Sequence, residues 1–347
     1  MKEQMNPREN FLRTIEFRNP RWVPLKYDFL PSVLYAHGDR LKDFFAANPD
    51  IFSKKEYKEL LAIGEGPLYT YGARFVDDWG CEWYNAHNGI LGQVTGYPLL
   101  DWKELKHLSI PDPDHQEDWE ANADFIKTCK DAGEIAPAYP ASFANGGFFD
   151  RLQFLRGLEN LLIDFITDPP ELAELMDILL RYNLKYIDRW IELQPDFIWF
   201  HGDFGTQNGL LFSPEIFRKH LKPAYKTMFS RCRDAGIHVW YSCDGNILDV
   251  VDDLIECGVS IHDPQMATNG VAGIEKHYKG RLCPAVDIDE QMLPFFTPGE
   301  LEAQVKEVIQ RIGTTEGGLM LYFCPGEDVP MENIEALFAA WNKYKFL

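Results

Sequence analysis

The chain has 347 residues, 46% of them hydrophobic, and sets 54 acidic against 34 basic side chains for a formal net charge of −20. So acidic a balance repels phosphate backbones and anionic lipid, which argues against nucleic acid and membrane surfaces as partners. No apolar run reaches bilayer length, and the opening MKEQMNPRENFLRTIEF lacks the apolar stretch of a secretory signal, so the cytoplasm is the expected location.

Residues 6–18 read as a helix, with Asn6 at the N-cap and Pro7 in the first turn. VPLKYD near residue 25 reads as a strand. Residues 30–130 are irregular, mixing short helices with aromatic, Gly-rich loops such as GPLYTYGARF and DDWGCEWYNAHNG. From about 135 the pattern repeats: EIAPAYP is followed by helices through residue 193. PDFIWFHGD leads to the helix from SPEIFRKHLKPAYK, GIHVWYSCD to NILDVVDDLIECG, and VSIHDP to a short helix. GRLCPAVDID leads to PGELEAQVKEVIQRIG, and GGLMLYFC to MENIEALFAAWNKY. Near-continuous apolar strands alternating with helices signal a parallel sheet buried on both faces. Six such units, VPLKYD and one strand from the irregular region would close a (β/α)8 barrel. The chain is then a single α/β domain, irregular over about 1–130 and regular over 131–347. The competing architecture, an open doubly wound sheet, lacks its glycine fingerprint.

The predicted strands end in polar groups at one end. His201 and Asp203 close β-segment FIWFHGD, Cys243 and Asp244 close HVWYSCD, and His262 and Asp263 close VSIHD. Asp287 and Asp289 close LCPAVDID, and Cys324 closes LMLYFC. In a barrel these ends meet at the catalytic mouth, although an Asp after a strand is often only a helix cap. Alternation puts His201 and Asp203 on one side. It pairs Ser242 with Asp244 on one face and leaves Cys243 on the other unless a bulge turns it. Which of Cys243 and Asp244 enters the mouth stays open. Seven cysteines, an odd number, do not suggest a disulfide framework. Cys129, Cys232, Cys257 and Cys81 read as buried thiols, Cys283 as either a packed barrel thiol or a ligand, and His262 as a hydrogen-bonded core histidine. His238 falls at the opposite, stability end.

Several segments resemble the uroporphyrinogen decarboxylase superfamily along nearly the whole chain. DFGTQNGLLFSPEIFRKHLKPAYK is similar to its Asp-Gly-Gln strand end with the Ser-Pro helix that follows. YSCDGNILDVV resembles its His-x-Cys-Gly or His-x-Asp-Gly strand end. LYFCPGEDVPMENIEAL resembles its last strand and helix, VDIDEQMLPFFTPGELEAQV its Thr-Pro-Glu helix, and NPRENFLRTIEFRNPRWVPL its N-terminus.

The superfamily's decarboxylase branch grips a polycarboxylate tetrapyrrole with N-terminal arginines. VPLKYDFLPSV offers no arginine pair, which disfavours that chemistry. The corrinoid-dependent methyltransferase branch holds zinc with His-x-Cys on one strand end and a Cys on the last. Cys324 matches the last ligand. Aligned without gaps, Ser242 takes the His place and Asp244 the Cys place; with one residue of slack, Cys243 takes the Cys place. Cys283, Asp263, Asp203 or Glu215 could complete the set, and carboxylate-plus-cysteine variants are a mark of aryl methyl ether demethylases. The resemblance thus implies a Zn2+-dependent methyltransferase. It would move a methyl group from a small methylated substrate, a methoxylated aromatic being favoured, to the Co(I) corrinoid of a partner protein. Metal would sit on Cys243, Asp244, Cys324 and Cys283; His201 and Asp203 would orient or protonate the leaving oxygen. Asp263, Asp287, Phe148 and Phe149, with Tyr69, Tyr71 and Trp79, would shape the substrate pocket. A metal-free lyase and a non-catalytic binding barrel are the alternatives.

Overall fold

A computed structural model describes residues 5–52, 66–140 and 147–346. Residues 1–4, at the start of the opening segment, and 53–65, inside the irregular region, lie outside it. Helix α1 (Pro7–Ile15) begins as its sequence dictates, with the Asn6 side chain accepting from the Glu9 amide and Pro7 in the first turn.

Seven strands form one parallel sheet: β1 (Leu25–Tyr27), β5 (Pro137–Ala138), β6 (Phe197–His201), β7 (His238–Ser242), β8 (Ile261–His262), β9 (Cys283–Val286) and β10 (Met320–Phe323). Their order, β1-β10-β9-β8-β7-β6-β5, runs through neighbours in sequence, as successive right-handed β/α units require. The sheet curls until its edges face each other. The Lys26 ammonium on β1 lies 5.3 Å from the ring centroid of Tyr139, just past β5. The fold is the α/β barrel of the (β/α)8 class.

The irregular region supplies no parallel strand among the described residues. It builds instead a three-stranded antiparallel sheet from β2 (Arg74–Val76), β3 (Glu82–Tyr84) and β4 (Gln93–Gly96). Helices α2 (Pro31–His37), α3 (Asp39–Ala47) and α4 (Trp119–Ala132) surround it in sequence. Three helices separate β5 from β6: α5 (Phe148–Arg156), α6 (Leu158–Thr167) and α7 (Pro170–Leu193). The later crossovers are α8 (Lys222–Asp234), α9 (Val251–Cys257), α10 (Met266–Tyr278), α11 (Pro298–Ile312) and α12 (Met331–Tyr344). A π turn, Phe217–Leu221, precedes α8, where Pro223 has no amide to close a regular turn.

Strand alternation sorts the barrel into two layers. Phe197, Trp240, Ile261, Cys283, Ala285 and Met320 fill the lumen, and Phe11 and Ile15 of α1 plug it from below. The alternate residues, among them Val239, Tyr241, Cys243 and Leu321, pack outward against the helices in a separate, larger core. The sequence leaves little choice here, because a one-residue slip would exchange the two layers. His238 lies at the plugged end, where its Nε2 meets Glu16, just past α1, at 3.1 Å.

Candidate active site

At the upper end of β6, His201 and Asp203 share the lumen side, as their spacing requires. His201 Nδ1 is 2.6 Å from Asp150 Oδ2 and its Nε2 is 3.3 Å from Asp203 Oδ1. Asp150 is buried on α5, three residues after Gly147, and its other oxygen accepts the Asp203 amide at 3.1 Å. Burial alone would lower the His201 pKa, but the two carboxylates lift it well above the ordinary value. Burial would likewise raise Asp203; the hydrogen bond and charge of His201 outweigh it and hold that carboxyl low.

The loops after β6 and β7 are laced together. The Asp244 amide donates to Asp203 Oδ1 at 2.9 Å, and the Asn246 amide to the Thr206 carbonyl at 2.7 Å. β7 runs straight, so Ser242 and Asp244 face the lumen side and Cys243 does not. Asp244 is open to solvent at the rim, yet partial burial and the nearby Asp203 push its carboxyl up to about 6.

Asp263 follows β8 and is 8% exposed; Trp240 Nε1 donates to its Oδ2 at 3.3 Å, and its Oδ1 is buried without a hydrogen-bond partner. Burial raises it to about 7. Asp287, buried after β9, accepts the Met266 amide at the start of α10; burial raises it to about 8. Burial, followed by repulsion from Asp287, Asp244, Asp263 and Asp28, lifts the Glu290 carboxyl to about 9. Cys324, past the end of β10, is half-buried; burial and the charges of Glu290 and Asp28 raise its thiol. On the same side, the Lys26 ammonium pairs with Asp28 at 2.6 Å and lies 5.2 Å from the Tyr322 ring centroid and 5.9 Å from that of Trp240. Among the described residues, the two cations of the mouth, Lys26 and His201, are therefore already matched by carboxylates, and acidic groups remain in excess.

The structure thus brings His201, Asp203, Asp244, Asp263, Asp287 and Cys324 to one mouth. It leaves four expected site residues out. Cys243 is 1% exposed and packs outside the barrel wall, where burial raises its thiol far above the ordinary value. No bulge turns β7, so the thiol follows the outward-facing alternation. Cys283 sits in the lumen's lower layer beside α1, a full strand length from the mouth. Phe148 and Phe149 are core residues rather than pocket walls: Phe148 meets Tyr225 at 6.0 Å between ring centroids, and Phe149 meets Phe204 at 5.9 Å. Trp79 is likewise buried, against Tyr182, and Tyr71 is exposed. Four participants escape sequence reasoning. Asp150 lies in FFDR, where an acid among bulky apolar residues is the available hint. Lys26 and Asp28 alternate in VPLKYD at lumen spacing, and Glu290 directly follows the DID strand end.

A two-thiolate zinc site does not fit this arrangement, because Cys324 is the one cysteine at the mouth among the described residues. Nor do three or more His, Cys, Asp or Glu side chains form a ready metal cage among those residues. One thiolate with carboxylate oxygens matches the donor types at the mouth better: Cys324, Asp244, Glu290 and the unmatched buried oxygen of Asp263 all lie there, although not close enough together to cage an ion as they stand.

Comparison with known proteins agrees with this architecture. The family model for uroporphyrinogen decarboxylase (URO-D) matches residues 78–344. The chain belongs to the URO-D family. Among solved structures, a methyltransferase from Methanosarcina mazei is similar over 98% of this chain and 99% of its own, at 17% identity and a TM-score of 0.69. A 3-keto-D-glucoside 4-epimerase from E. coli is similar over 72% of this chain and 95% of its own, at 11% identity, but its TM-score of 0.39 is too low to bear on this URO-D member. No curated protein sequence is matched. No described helix of the URO-D chain is long and apolar enough to cross a membrane.

Proposed function

We propose that this URO-D family member is a methyltransferase. It moves a methyl group from a small methylated substrate to the reduced corrinoid of a separate protein docked over the mouth. The observation that carries the reading is the chemistry of the mouth: a half-open Cys324 thiol among Asp244, Asp263, Asp287 and Glu290, with Lys26 and His201 already paired. A porphyrinogen polycarboxylate would enter a field of its own sign with no free cation to receive it among the described residues of the mouth, which weighs against decarboxylation of the URO-D type. The likeness to the M. mazei methyltransferase extends over nearly both chains and is compatible with the proposal.

The same acidity favours an uncharged or cationic methyl donor, and an uncharged methoxyarene suits it. Zinc, when bound, supplies Lewis acidity that weakens the bond from the methyl group to its heteroatom. Cys324, Asp244 and Glu290 are the residues that would hold it once drawn together, since they do not form a cage as they stand. His201 presents a proton at the rim to a departing oxygen, and Asp203 keeps that edge of the ring in place. Asp263 and Asp287 line the lumen beneath.

Purified protein is to be assayed for bound metal and for demethylation of a methoxyarene panel with a reduced corrinoid protein. The expected result is close to one zinc per chain, lost in Cys324→Ala together with at least about 100-fold in rate. Carbon dioxide released from a carboxylated substrate without metal, and no methyl transfer, would overturn the proposal.

A further inference from the structure

Asp150 is not a strand-end residue, yet it makes a short contact to the His201 imidazole at the mouth. Its Oδ2 lies 2.6 Å from His201 Nδ1, and its Oδ1 takes the Asp203 amide at 3.1 Å. The carboxylate therefore grips both His201 and the backbone of its neighbour. The opposite ring nitrogen faces Asp203 Oδ1 at 3.3 Å. Ionised carboxylates only accept, so satisfying both contacts requires a proton on each ring nitrogen. One face of the ring also stacks on Trp199, with centroids 5.6 Å apart.

The backbone fixes Asp150 as firmly as it fixes the histidine. Gly147 caps α5 against β6 so closely that a Cβ there would overlap the carbonyl oxygen of His201. Asp150 falls in the first turn of α5, where the helix dipole stabilises a negative side chain. Its neighbours Phe148, Phe149 and Arg151 are fully buried, so α5 has no freedom to withdraw the carboxylate.

We propose that Asp150 is a positioning residue that fixes the His201 ring, Nδ1–H toward α5 and Nε2–H toward Asp203 and the open rim. The inference deepens the methyltransferase reading by saying what keeps the leaving-group donor aimed. It concerns the ring alone, so it can fail or stand independently of methyl transfer.

The test is nitrogen-15 NMR of the full chain labelled at histidine, with His201 assigned by its loss in His201→Gln. The wild-type ring should show both nitrogens protonated from pH 6 to 8. Asp150→Asn keeps the size and one acceptor but removes the charge. In it, His201 should titrate within that range and populate a neutral form at pH 8. Asp203→Asn should leave Nδ1 protonated and bonded. In the activity assay, Asp150→Asn should lower kcat more than it raises KM and move the alkaline limb of the pH profile to lower pH; Asp150→Glu should recover part of it. A folded Asp150→Asn protein whose His201 signals match wild type would overturn the proposal. If that variant fails to fold, a wild-type His201 that is neutral at pH 7 would overturn it just as directly.

Discussion

Asp263 and Asp287 have the same problem, burial, and no full answer to it within the chain. Their carboxyls rise from 3.8 to about 7 and about 8 respectively. The folded state thus retains protons that an unfolded carboxyl has already released. The stability they contribute is full below about pH 4 and is lost as pH climbs through 7 and 8. Metal-free protein should therefore melt lower at pH 9 than at pH 5, by about 5 °C or more. Asp287→Asn, which fixes the neutral form, should flatten that dependence in a thermal melt series. A wild-type melting point that climbs steadily across the interval would contradict the assignment of buried, protonated acids. Added zinc should restore stability chiefly at the alkaline end, because a cation replaces the missing protons. The cysteines teach a related lesson. Alternation placed Cys243 and Asp244 on opposite faces, and only the regularity of β7 decided between them. A bulge is set by pairing with neighbouring strands and leaves no mark in a five-residue segment.

At the level of elements, all seven parallel strands of the described barrel stand where apolar runs in the sequence put them. Those runs need no partner to be recognised, because burial on both faces removes the polar alternation. The eighth strand expected from the irregular region was not legible in the same way. That region buries one face of short antiparallel strands such as Glu82–Tyr84, in which one residue of three is buried. The helix contribution to the site was also hidden: Asp150 precedes His201 by 51 positions, and no periodicity links an α5 acid to a β6 histidine. What betrays the contact is glycine. Gly147 abuts His201, and Gly205 and Gly245 abut each other where the β6 and β7 loops cross. Gly147→Ala should force α5 away from β6, at a cost of about 1–3 kcal/mol. His201 should then lose its fixed ring orientation before the barrel unfolds. Denaturant titration and the His201 nitrogen shifts measure the two effects separately. An unchanged stability would show that the close approach is relaxed in solution.

For the molecule as a whole, α5 is the joint between the barrel and the antiparallel sheet. Its Asp150 faces the mouth while the adjacent Arg151 faces the other way. Arg151 Nη1 is 2.9 Å from Asp77 Oδ2, with side-chain exposures of 1% and 6%. Asp77 also takes the amides of Trp79 and Cys81 and the Trp83 indole, so one carboxylate organises the loop between β2 and β3. Breaking a buried pair from one side strands the other charge, typically costing about 3–5 kcal/mol. Arg151→Met should incur such a loss, and hydrogen exchange should show residues 74–96 opening first while β6 to β10 stay protected. Adding Asp77→Asn should recover only part of the stability. It removes the stranded charge but also weakens the three donors' shared acceptor. Full recovery would mean that the ion pair, and not the loop it organises, holds the antiparallel sheet to the barrel. Uniform exchange across the chain would mean that sheet and barrel unfold as one unit, leaving α5 no separate role as a joint.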